Sequence, residues 1–140
     1  MGGAGGMPDW LFATLFAAGL LLVVGAFAWR NTARRIARTS ARRPSPTRAE
    51  FLALMSGEIS ERTAQFLWDA ATDTLPASLT PHPDDHLARD LPIAEEDWSI
   101  HWPKEYAAQT GLDAEELAEW PEGWEPTVRN FGKWLDMARG

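Results

Sequence analysis

Residues 10–29 read WLFATLFAAGLLLVVGAFAW, twenty positions without a charge. At about 1.5 Å of rise per residue, a helix of this length covers the roughly 30 Å hydrocarbon core of a bilayer. Trp10 and Trp29 stand at its two ends, where amphipathic rings favour the headgroup level. The run is read as a single N-terminal transmembrane helix, which makes everything beyond it a tethered domain. Arg30, Arg34 and Arg35 follow at once, then Arg38, Arg42, Arg43 and Arg48, with no acid until Glu50. The segment before the run carries no Lys or Arg. This asymmetry predicts an N-terminus outside and a C-terminal domain in the cytoplasm, at an inner membrane. A cleaved signal peptide wants a positive leading region and a shorter apolar core, so a permanent anchor is expected despite Ala26-Phe27-Ala28. Ala13, Ala17, Ala18, Gly19 and Gly25 are small enough for close helix approach, but no GxxxG pattern lies within the run.

Charge divides the chain in two. Residues 1–48 hold seven Arg against Asp9, for +6, and residues 49–140 hold six basic residues against nineteen acids, for −13. The basic stretch favours anionic lipid, at about 1 kcal/mol per Arg near the surface. The acidic part favours a basic-surfaced protein partner and excludes nucleic acid as the expected ligand. The chain has no Cys, which removes disulfides, thiol catalysis and zinc–thiolate sites.

Four regions follow: an external tip (1–9), the transmembrane helix (10–29), an Arg-rich juxtamembrane helix or linker (30–48) and an acidic helical domain (49–140). Pro44 and Pro46 end any helix in the linker. Thr47-x-x-Glu50 has the capping-box pattern for a helix carrying Phe51, Leu52, Leu54 and Met55, with Gly57 ending it. Ser60 caps a second helix, with Ile59 as its hydrophobic staple and Phe66, Leu67, Ala70 and Ala71 on one stripe; Pro76 closes it. Residues 76–92, PASLTPHPDDHLARDLP, read as a loop pinned to a core by Leu79, Leu87 and Leu91, with Ile93 just beyond. A helical segment over Asp97–Gly111 must kink or restart at Pro103. Asp113-x-x-Glu116 predicts a short helix over AEELAEW, and Thr127 caps the last helix, with Val128, Phe131 and Leu135 on one face. No alternating β-branched run occurs. The fold class is all-α: one transmembrane helix and a four- to five-helix cytosolic domain.

The order of these elements carries a resemblance. Asp90-Leu91-Pro92-Ile93-Ala94-Glu95-Glu96-Asp97 is similar to the Asp-Leu-x-Ile-x-x-x-Asp core of diverged bacterial carrier-like proteins. Thr127-Val128-Arg129-Asn130-Phe131 resembles the start of their last helix. Residues 59–138 therefore resemble an acyl carrier protein-like domain. That family attaches phosphopantetheine to a Ser in an Asp-Ser-Leu motif, where this chain has Ala94-Glu95-Glu96. The nearest candidate is Ser99, between Trp98 and Ile100, whose flanks differ from the motif. The resemblance thus implies a carrier fold without its cofactor, retaining an acidic recognition surface.

Other chemistry is sparse. His82, Asp84, Asp85 and His86 are the one metal-like cluster, but their spacing matches no named site, and turn hydrogen bonds are the expected use of such a loop. His101 is expected to be packed or hydrogen-bonded. The Glu pairs read as a solvated face, and no GxSxG, P-loop or GxGxxG is present. Six Trp residues lie in residues 49–140. Most are expected in the core; Trp120 and Trp124, flanked by Glu119 and Glu122, form the candidate docking patch. The expected function is non-enzymatic: a scaffold presenting an acidic domain at the cytoplasmic membrane face, with no cofactor. A membrane-tethered acyl carrier and an accessory subunit acting through its transmembrane helix are the alternatives.

Overall fold

A computed structural model describes residues 8–138. It contains five α-helices and no strand among the described residues: α1 (Asp9–Arg42), α2 (Arg48–Met55), α3 (Glu61–Thr74), α4 (Trp102–Thr110) and α5 (Val128–Met137). The chain forms two compact units, residues 1–34 and residues 35–140.

The first unit is the apolar part of α1. Over its most apolar eighteen residues the mean hydropathy is 2.4, and none of that window is buried. The helix is long and apolar enough to cross a membrane. Leu21 and Leu22 are 72% and 75% exposed. The one polar side chain in the run, Thr14, donates its hydroxyl to the Trp10 carbonyl at 2.7 Å. Its donor is thus satisfied within the helix, as an apolar medium requires. Residues 1–7, most of the segment expected to form an external tip, lie outside the described residues.

The second unit opens at Arg35, fourteen positions before the boundary expected from composition. The reason is local: the last turns of α1 are packed rather than free. Ile36, which has no apolar stripe to join within its own helix, packs against the core margin, and Thr39 is buried. Phe51, Met55, Leu67, Tyr106, Phe131 and Leu135 fill the centre with no more than 1% exposure. Helix α2 packs on α3, and α3 on α5. Gly132 allows the second contact: a Cβ there would stand 2.9 Å from the Cδ1 atoms of both Ile59 and Leu67.

The caps follow the sequence. Thr47 Oγ1 accepts the Glu50 N–H at 3.2 Å, and Glu50 Oε1 accepts the Thr47 N–H at 3.3 Å, completing the capping box. Ser60 and Thr127 cap α3 and α5 through the N–H groups of Thr63 and Asn130. Gly57 turns the chain with φ +86°, open only to a residue without a Cβ penalty. At Pro103 the helix restarts. The missing N–H cannot bond four residues back, and Asp97–His101 forms a π-helical turn in which the Trp102 N–H reaches the Asp97 carbonyl.

Three further expectations need correction. Of the six Trp residues in 49–140, expected mostly in the core, Trp102 is buried and the other five are half-buried. The segment after Asp113 is not the helix its pattern predicts. Only Ala114–Glu116 forms a 3₁₀ turn, and Asp113 makes no capping bond. Tertiary bonds claim this backbone instead: the Trp134 indole donates to the Ala118 carbonyl at 2.8 Å and the Trp120 indole to the Trp124 carbonyl at 3.0 Å. His101, expected to be packed or hydrogen-bonded, is exposed on the π turn.

Candidate functional site

The loop between α3 and α4 runs over residues 76–96, and Leu79, Leu87, Leu91 and Ile93 are all buried. Four apolar anchors therefore hold a long segment that lacks regular structure. Its polar residues are in turn fixed by the end of α1. Thr39 donates its hydroxyl to the Asp90 carbonyl at 2.5 Å. Arg42 Nη1 meets Asp90 Oδ1 at 3.0 Å, and Arg43 Nε meets Asp85 Oδ1 at 3.0 Å. A second Arg43 nitrogen pairs with Asp85 Oδ2, making a bidentate fork, and donates to the Thr80 carbonyl at 2.9 Å.

Asp85 is the centre of this arrangement. Its side chain is 1% exposed, and that of Arg43 is 10% exposed. Besides Arg43, the carboxylate accepts the His82 N–H at 2.9 Å and faces Arg42 at 3.4 Å. The Asp85 carbonyl accepts the Val128 N–H at 3.0 Å, at the start of α5. One loop residue therefore joins α1, the loop and α5. A buried ion pair of this kind stands only because its remaining lone pairs are also satisfied.

The metal-like residues are placed for structural work. His82 Nδ1 accepts the Asp84 N–H at 3.0 Å, and His86 Nδ1 accepts the Ala88 and Arg89 N–H groups at 3.1 Å each. Asp84 pairs with Arg129. No group of three or more His, Asp or Glu among the described residues is arranged to hold a metal.

Burial lowers the His86 pKa, and the neighbouring Arg89 adds to the effect. Burial pushes the Asp90 carboxyl up, but the Arg42 hydrogen bond and the His86 N–H outweigh it and hold Asp90 below the usual carboxylate range. Arg42 is correspondingly raised, chiefly by its hydrogen bond to Asp90. Both lowered groups have the same sign for stability. The unfolded chain takes up protons first, so the fold loses stability as pH falls. The His86 contribution declines from about pH 6.5 and that of Asp90 from about pH 4 downward. Thermal melts between pH 8 and pH 3 are therefore expected to show falling Tm in both ranges. In Asp90→Asn the lower decline should shrink; an unchanged decline would remove Asp90 from this role.

The Trp-rich turn is an aromatic stack. Trp120 and Trp124 are half-buried with ring centroids 6.2 Å apart, near perpendicular, and Trp120 lies 5.6 Å from Trp134. Phe131 supports this stack from the core, 6.3 Å from Trp120 and 5.4 Å from Trp134. Glu119 and Glu122 are exposed beside it. Ser99 is exposed on the π turn. Trp10, Trp29, Arg30 and Arg34 are exposed positions of α1 in the first unit, whereas Arg35 belongs to the second.

Sequence reasoning missed the Arg42, Arg43 and Asp85 cluster. The partners are 42 and 43 positions apart, and no local pattern marks them. No protein-family model matches the chain, and comparison with curated proteins and with solved structures finds no match.

Proposed function

We propose that this chain is a single-pass inner-membrane protein that holds a small acidic helical domain at the cytoplasmic face, where it binds a partner protein. The observation that carries this reading is the length and apolarity of α1, whose most apolar window has no buried position among the described residues. Twenty apolar residues left in water would be a severe liability, and lipid or a neighbouring helix removes it. The Arg cluster after the run supports a cytoplasmic C-terminus. The partner-binding face is the 113–125 segment. Its exposed Glu115, Glu116, Glu119 and Glu122 surround the half-buried Trp120 and Trp124, a rim of charge around an aromatic base. Charge of this kind steers a basic surface and sets specificity.

Photocrosslinkers placed at Glu119 and Glu122 of the full chain, in native membranes, test the partner half of this reading. Crosslinks to one basic-surfaced protein, weakened by salt and by Trp124→Ala, are expected. Crosslinks only from positions within residues 10–29 would instead favour an accessory subunit acting through its helix. Intact mass from the same membranes addresses the carrier alternative, since a phosphopantetheine adduct on Ser99 would replace the scaffold reading.

A further inference from the structure

We propose that a groove formed by Arg35, Arg38, Arg42 and Arg89 binds a single phosphate group. These residues line a cavity of about 620 Å³ together with Thr39, Ala88 and Asp90, a volume within the usual range for small-ligand sites. The lining thus sets four guanidinium groups beside one carboxylate, although Arg42 also reaches Asp85 and Arg89 reaches Glu125, each at 3.4 Å. Arg35, Arg38 and Arg42 share one helix face at i, i+3 and i+7, where like charges repel. Asp90 relieves only part of this, because its carboxylate is engaged by Arg42 and by the His86 N–H at 2.7 Å.

The remaining donors are available. Arg38 is exposed and makes no side-chain hydrogen bond or ion pair among the described residues. Arg89 is 68% exposed, and its one ion pair, to the exposed Glu125, is long at 3.4 Å. Arg35 makes a single long bond, 3.4 Å to the Leu91 carbonyl. Planar guanidinium forks suit phosphate oxygens, which they bind in pairs.

Membrane topology alone does not account for this cluster. The positive-inside rule concerns charges within about 15–20 residues of a span, which covers Arg35, Arg38 and Arg42. Arg89 lies sixty positions beyond Trp29, in a region that is otherwise strongly acidic, and the loop nevertheless delivers it to the same cavity. That acidic surround also selects the ligand. It repels a nucleic-acid strand, while a lone phosphate needs only the groove. The phosphate chemistry stands apart from the anchor, and two sources can supply it: a lipid headgroup or free phosphate.

The test uses full-length protein in phosphatidylcholine nanodiscs, titrated with inorganic phosphate by calorimetry, with and without phosphatidic acid in the discs. One saturable phosphate is expected per chain. Arg38→Gln combined with Arg89→Gln should weaken it about tenfold or more, since each removes charge-assisted bonds. Arg30→Gln combined with Arg34→Gln removes the same charge but no residue of the cavity, and should change binding less than about twofold. Displacement of phosphate by phosphatidic acid assigns the site to a headgroup; persistence of phosphate binding assigns it to the free ion. Absence of saturable binding to either probe overturns the inference, as does equal weakening by the two variant pairs. If the chain fails to enter discs, the membrane reading fails, and the same titration in detergent still decides the groove.

Discussion

Asp85→Ala is expected to destabilise the domain by about 3–5 kcal/mol, because it leaves the Arg43 charge buried without its partner. For a domain of this size that lowers Tm by about 15 °C or more. Three attachments fail together: the fork from Arg43, the approach of Arg42 and the His82 N–H bond. The loop would loosen from α1, and the register between Asp85 and Val128 at the head of α5 would lose its support. Asp85→Asn keeps the shape and an acceptor but not the charge, so it should fall between wild type and Ala. The decisive control is Arg43→Met and Asp85→Leu, each alone and together, beside the wild type. Removing both charges should cost less than the two single losses combined, as for a pair coupled through space. Chemical denaturation of the four proteins measures this. A loss under about 1 kcal/mol for Asp85→Ala would mean that the pair is incidental.

Leu21→Arg combined with Leu22→Arg is expected to abolish stable membrane insertion. Each Arg near the centre of a span costs about 2.5–3.5 kcal/mol, and each lost Leu removes a further few tenths. Together this is about 6–8 kcal/mol, enough to shift a strongly membrane-bound population into the soluble or aggregated fraction. Both side chains are fully displayed on α1, so neither substitution disturbs packing in the second unit. Leu54→Arg provides the contrast. Leu54 is also an exposed leucine, but on α2, and a surface change there should be close to neutral. Alkaline carbonate extraction followed by flotation of the pellet through a sucrose gradient separates the two. Retention of the double variant in the floating membrane band would show that α1 is not held by lipid.

The all-α fold and most helix boundaries were legible in the sequence because their causes are local. Thr47, Ser60 and Thr127 each satisfy an N–H three residues on, and Gly57 and Pro103 act through their own backbone. The leucines of the 76–93 segment were legible too, since apolar residues in a polar loop have few places to go but the core. What escaped was set by tertiary partners. The AEELAEW helix failed because the Trp134 indole took the Ala118 carbonyl and the segment's own Trp120 indole turned to the Trp124 carbonyl. The start of the domain moved to Arg35 because Ile36 and Thr39 face partners that lie more than fifty positions away or across the core. The same limit hid the arginine groove: Arg38 reads as a topology signal until Arg89 is seen beside it.

Residues 10–29 crossing a membrane with the acidic domain inside would put Gly5 and Glu115 on opposite sides of it. Single-cysteine labelling reads this out, because the chain has no Cys of its own. Gly5→Cys and Glu115→Cys would each be expressed in full-length protein and treated with a membrane-impermeant maleimide on intact spheroplasts. Labelling of Gly5→Cys at once, and of Glu115→Cys only after permeabilisation, is the predicted result. Labelling of Glu115→Cys in intact spheroplasts would contradict it and place the acidic domain on the other side.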